Sequence, residues 1–157
     1  MTKRRRILLL LTGTILSPSA VLAGAWSYES FENDGALDWV GEFKDNPNPE
    51  FIRQALALAA SGKYIDSFAG ECAVAAAEVV AASLGRPCKG FPAELGAIVA
   101  RAHSEMRPLA PLASTALTGV LGLHSELRQN WSLHAEDLAK WEASVNDLRA
   151  RLLQPAA

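Results

Sequence analysis

Apolar side chains recur every three or four positions through most of the chain beyond residue 33. Nowhere do they alternate with period two for long enough to make a strand. The clearest run is the last one. Leu138, Trp141, Val145, Leu148 and Leu152 fall at spacings of 3, 4, 3 and 4, which predicts a helix over 135–153. Glu136 with Lys140 and Asp147 with Arg151 are i,i+4 pairs in the favourable orientation, each worth about 0.2–0.5 kcal/mol.

The middle of the chain has a different pattern. From Glu71 to Leu84 eleven of fourteen residues are apolar, on all sides of a helix, and most are Ala or Val. A helix that is apolar all round is a buried one, and small side chains let neighbours come close. Asp66 or Ser67 can cap its start, and Gly85 followed by Pro87 is the expected order of stop signals.

The other elements are shorter. Asn33 or Asp34 is the expected N-cap of a first helix, which ends before Asp45-Asn46-Pro47. Asn48-Pro49 opens a second, with Ile52, Ala55, Leu56 and Ala59 as its apolar face and Gly62 as its left-handed stop. A short helix is expected over 93–101, reaching towards Met106, with a break at Pro108 and Pro111. Another is expected over 114–130, with Leu117, Val120, Leu121, His124, Leu127 and Trp131 on one stripe. That places His124 in the core. Gly119 and Gly122 weaken this helix by about 1 kcal/mol each relative to alanine, which suggests close packing there. The expected fold is all-α: a compact bundle of about five or six helices around the buried Ala/Val-rich helix.

Residues 1–23 have another design. Lys3, Arg4, Arg5 and Arg6 precede an apolar stretch from Ile7 to Leu16, and Val21-Leu22-Ala23 offers a cleavage site. This reads as a signal peptide cut after Ala23, since the apolar stretch is short of the ~20 residues of a spanning helix. The expectation is an exported protein, periplasmic or extracellular, with one domain over 24–157. Within that domain eleven Lys and Arg face seventeen Asp and Glu, a net of −6. An acidic balance points away from nucleic acid and anionic membranes as partners. A protein partner is the expectation, and the oligomeric state is not encoded in any pattern here.

The domain opens with Gly24-Ala25-Trp26-Ser27-Tyr28-Glu29-Ser30-Phe31-Glu32-Asn33-Asp34-Gly35-Ala36-Leu37-Asp38-Trp39. This opening resembles a bacterial family catalogued as domain of unknown function 4259. Its members typically begin Gly-Ala-Trp-Gly, followed by a phenylalanine, an Asn-Asp pair and an Ala-x-Asp-Trp-like element. The Ala75–Ala81 stretch, Ser125-Glu126-Leu127-Arg128, Trp131 and Trp141 are similar to the same family. Ser27 and Glu29 depart from its glycines. The resemblance implies an α-helical domain of unassigned activity and brings no catalytic residue, substrate or cofactor.

Candidate chemistry is sparse. Serine-nucleophile motifs, phosphate-cradling glycine loops and zinc-protease spacings are missing, so no catalytic, cofactor or metal residue is assigned. Glu78, in the middle of the buried helix, must be paired or must take up a proton. A partner such as Arg101 or Arg53 makes it structural; a histidine from another helix would make it an acid–base pair. His103-Ser104-Glu105-Met106-Arg107 and His124-Ser125-Glu126-Leu127-Arg128 look alike, but positions i and i+2 of a helix point apart and cannot chelate a metal together. Cys72 and Cys88 are an even pair in an exported chain, the setting of a disulfide. A helix running to Leu84 puts Cys72 ~18 Å from its end. Four extended residues return only ~14 Å, so the bond needs the chain to double straight back. The bonded pair and two buried free thiols both remain open.

Trp26, Phe31, Asn33, Asp34, Asp38 and Trp39 form an aromatic and acidic opening that is the candidate functional surface. Calcium would suit the acids, though the spacing is not that of an EF-hand and helix capping accounts for most of it. The sequence-level expectation is a binding or inhibitor-like interaction module. The alternatives are a hydrolytic or other enzyme using Glu78 with a histidine, and a structural envelope component that self-associates through the 138–152 stripe.

Overall fold

A computed structural model describes residues 27–155. The predicted leader, its cleavage site and Trp26 lie outside the described residues. The described residues form seven α-helices, six of them eleven residues or longer. In order they are α1 (Asp34–Asp45), α2 (Pro49–Ala59), α3 (Ser67–Ser83), α4 (Ala93–Met106), α5 (Ala110–Val120), α6 (Glu126–Trp131) and α7 (Ala135–Leu153). A 3₁₀ turn over Arg107–Leu109 links α4 to α5. Among the described residues there is no strand, only one parallel bridge between Ile65 and Ser125.

The all-α expectation holds, and α3 is the central rod. Every residue from Ala69 to Ala81 is buried, and α3 packs against each of the other six helices. Its Ala and Val side chains leave a thin cylinder that many neighbours can approach. Gly70 takes the Leu127 side chain of α6 at a position where a Cβ would lie 3.1 Å from it. Asp66 caps α3 by accepting from the Ala69 amide, and Gly85, at φ +80°, closes it. Gly85 donates to Ala82 and Arg86 to Ala81, the two bonds of a Schellman stop.

Asn33 and Asn48 cap α1 and α2 as predicted, each accepting from the third amide along. α7 keeps the predicted bounds. Its stripe Trp141, Val145, Leu148 and Leu152 is buried in this chain's own core, which leaves no such surface for self-association.

The helix expected over 114–130 is corrected. Pro111, in the first turn, is compatible with the helix start, so α5 begins at Ala110. It stops at Val120, ten residues before the predicted end. The cause is partly local and partly distant. Gly122 donates back to Gly119 in a turn, and Ile65 then takes over the backbone: its amide donates to His124 and its carbonyl accepts from Glu126. Ser125, fully buried, starts α6 by accepting from the Arg128 amide. His124 therefore sits exposed in the turn, not in the core. The close packing expected at the two glycines holds at Gly119, where a Cβ would collide with the Ala59 carbonyl oxygen at the end of α2; at Gly122 a Cβ would meet only the backbone of its own preceding turn.

Candidate functional site

The N-terminal aromatic and acidic element turns mostly inward. Tyr28 packs at a tilt against Trp131, 5.2 Å between ring centroids, and donates its hydroxyl to Asp137 of α7. Phe31 is buried edge-to-face against Phe91, 5.7 Å away. Asn33 is consumed by its capping bond, and Trp39 is 5% exposed. Of the predicted surface residues that are described, only Asp34 and Asp38 are exposed. The segment Ser27–Asn33 is thus a strap that fastens α1 to α3, α6 and α7. Its aromatic residues look like a binding motif in sequence because that same chemistry fills a core.

Glu78 is 1% exposed, and its counter-ion is Arg151 of α7 rather than Arg101 or Arg53. The guanidinium forks onto both carboxylate oxygens, at 2.7 and 2.9 Å, and Ser30 of the strap donates to Oε1 at 3.0 Å. Burial works against the Arg151 cation, but hydrogen bonds and charge from Glu78 and Asp147 overcome it and raise its pKa. The remaining Arg151 bonds go to the Arg86 carbonyl and to Asp147. Arg86 in turn donates to the carbonyls of Arg151, Gln154 and Pro155 at the end of α7. His103, His124 and His134 are all exposed, and among the described residues no hydrogen bond or ion pair joins a histidine to Glu78. The carboxylate is occupied by structural partners.

Cys72 and Cys88 are free thiols, so the disulfide is not formed. α3 carries Cys72 against α1, where its thiol donates to the Gly35 carbonyl. Cys88 leaves α3 by way of the Gly85 stop and lies beside Glu78 and Arg151. Glu78 is six residues, ~9 Å, further along α3 than Cys72. Burial, then neighbouring carboxylates, push Cys72 up to about 12 and Cys88 up to about 11. Neither thiol is an activated nucleophile.

Glu71 reaches across to the first turn of α1, where its Oε2 accepts from the Gly35 amide at 3.0 Å. A Cβ at position 35 would collide with that oxygen, so Gly35 is what allows the approach. Burial pushes the Glu71 carboxyl up to about 7; the Gly35 amide opposes the shift and the Asp34 charge adds to it. Glu71 also borders a chamber of about 20 Å³ shared with Tyr28, Trp131 and Trp141, room for a single water.

The surface feature that sequence reasoning missed is a groove of about 300 Å³ between α1, α2 and the start of α3. It is lined by Trp39, Phe51, Gln54, Ala55, Leu58, Asp66, Phe68, Ala69 and Cys72. Its floor is an aromatic stack, with Trp39 5.1 Å from Phe43 and 5.5 Å from Phe51. Its rim is wet and apolar: Leu58 is 54% exposed and Phe68 55%. The signal was present in α2. Phe51, Ala55 and Leu58, at spacings of 4 and 3, make a second apolar stripe beside the one through Ile52, Leu56 and Ala59. Among the described residues no cluster of three or more His, Cys, Asp or Glu side chains could hold a metal ion. None of the described helices is long and apolar enough to cross a membrane.

No curated protein and no solved structure matches the chain. A family model matches residues 24–144, from the Gly-Ala-Trp opening to the middle of α7. The strap, the capped start of α1 and the central rod all fall within that match, and the chain belongs to the family described as Domain of unknown function (DUF4259).

Proposed function

We propose that this is an exported protein-binding module, inhibitor-like in that it acts by occupying a partner, and that the α1–α2–α3 groove is its working surface. The observation that carries the reading is the exposure of Leu58 and Phe68 over an aromatic floor. Large apolar side chains left wet together on one concavity lower solubility, and such patches mark interaction sites. The rest of the potential chemistry is spoken for: Glu78 is paired, and both thiols are held protonated. Export is supported by the basic and apolar leader pattern of residues 1–23 and by a family match that begins at Gly24, directly behind the expected cut.

The test is site-specific photo-crosslinking in the native host. A photoreactive side chain at position 58 or 68 should give a discrete adduct, and one at position 153, also exposed but on α7, should not. Phe68→Ser should remove the adduct formed from position 58. Adducts of equal yield from 58 and 153, or none from 58 and 68, would remove the groove from consideration.

A further inference from the structure

The charge around the groove names the kind of partner that fits it, and this step rests on the groove being the working surface. Asp34, Asp38, Glu42 and Asp45 follow one another at spacings of 4, 4 and 3, so they form a single stripe along α1. The stripe lies on the groove side: Gly35, next to Asp34, packs against Glu71 and Phe68 of α3, and Trp39, next to Asp38, lines the groove with Phe68. Asp66, the cap of α3, is the one charged residue among those lining the groove. The cations of α1 and α2 are engaged elsewhere. Lys44 pairs with Glu94 of α4, and Arg53 pairs with Glu50. Among the described residues no ion pair reaches Asp34, Asp38, Glu42 or Asp45.

This arrangement is costly for α1 alone. Like charges at i,i+4 repel, and Glu42 and Asp45 stand near a helix C-terminus, where the dipole disfavours acids. Among the described residues no cation is paired with the stripe, whereas a cation from outside would relieve the repulsion.

We infer that the groove takes an amphipathic helix of a partner protein, whose Leu- or Phe-like anchors enter between Leu58 and Phe68 and whose flanking Lys or Arg side chains lie along the α1 carboxylates. Helix-in-groove docking uses anchors on one face, and charge on the flank sets orientation and partner choice.

Two labelled synthetic peptides of about sixteen residues, long enough to be helical when bound, test this by fluorescence anisotropy. Both carry the same Leu stripe; one has Lys and the other Glu at the flanking positions. The Lys peptide should bind roughly ten-fold or more tightly than the Glu peptide in low salt, and the gap should shrink in high salt. Asp38→Asn with Glu42→Gln, both exposed, should remove most of the preference, and Leu58→Ser with Phe68→Ser should weaken both peptides. Equal binding of the two peptides, or a preference that survives Asp38→Asn with Glu42→Gln, overturns the charge inference and leaves the groove reading standing. Binding indifferent to Leu58→Ser with Phe68→Ser overturns the groove reading as well. Saturation of the groove by a second copy of this chain, detected as self-association that the Lys peptide cannot compete away, also overturns the inference.

Discussion

Arg151→Met should be among the most damaging single changes outside the apolar core. The substitution keeps most of the side chain's apolar stem and removes only the guanidinium. What remains is the Glu78 carboxylate, 1% exposed, with the neutral Ser30 hydroxyl still donating to it. Two charge-assisted bonds of 2.7 and 2.9 Å are lost, and the Arg86 carbonyl loses its donor as well. The Asp147 bond contributes little, because that carboxylate is 69% exposed. Removing one partner of a buried pair costs about 3–5 kcal/mol, chiefly through the uncompensated charge, against a total stability of about 5–15 kcal/mol for a domain. Urea unfolding followed by tryptophan fluorescence reads this directly, since Trp131 and Trp141 stack inside the same bundle. Glu78→Leu combined with Arg151→Met should recover most of the loss, because two apolar side chains replace a desolvated pair at little net cost. A loss below about 1 kcal/mol for Arg151→Met, or a double variant no better than the single one, would refute the account of Glu78 as a buried charge that depends on one counter-ion.

Three further outcomes follow from the geometry. Gly119→Ala should cost about 1–3 kcal/mol or more, since the new methyl group meets the Ala59 backbone oxygen, whereas Gly41→Ala, with open space around it in α1, should gain about 0.5–1 kcal/mol; urea midpoints of the two variants should move in opposite directions. The Glu71 carboxyl is raised in the fold to about 7 from about 4.5, so the folded state holds its proton more tightly; the associated stability is complete below pH 4.5 and is lost as pH rises through 7, by roughly 3 kcal/mol at most. Unfolding midpoints at pH 5 and pH 8 should show that decline, and Glu71→Gln should flatten it. Both cysteines should react slowly with a thiol reagent at pH 8 while the domain is folded, Cys88, the more exposed, ahead of Cys72; both should react in denaturant without a reducing agent, and a failure of both would mean that the two are bonded.

What was legible in the sequence is what neighbouring residues decide. The caps at Asn33, Asn48 and Asp66 lie next to the amides they satisfy, and the α7 stripe is a property of its own period. The buried character of α3 was legible from composition alone. The break after Val120 was not, because half of its cause is the backbone of Ile65, some sixty residues away. The partner of Glu78 was hidden for the same reason: Arg151 is 73 positions away and already had an explanation as the mate of Asp147. The strap misled for a different reason, since aromatic residues near a terminus look alike whether they meet a partner or Trp131. The groove was missed because its definition is what does not cover Leu58 and Phe68, and a sequence does not display an uncovered side.

The reach of α7 bears on where this domain can be cut. The family match stops at residue 144, but Val145, Leu148 and Leu152 complete the core beyond that point, and Arg151 neutralises a charge that sits inside it. A recombinant fragment drawn to the edge of the match would keep the buried acid and discard its base. Boundaries for expression, fusion or transplantation of the module therefore belong after Pro155, the last carbonyl that Arg86 holds.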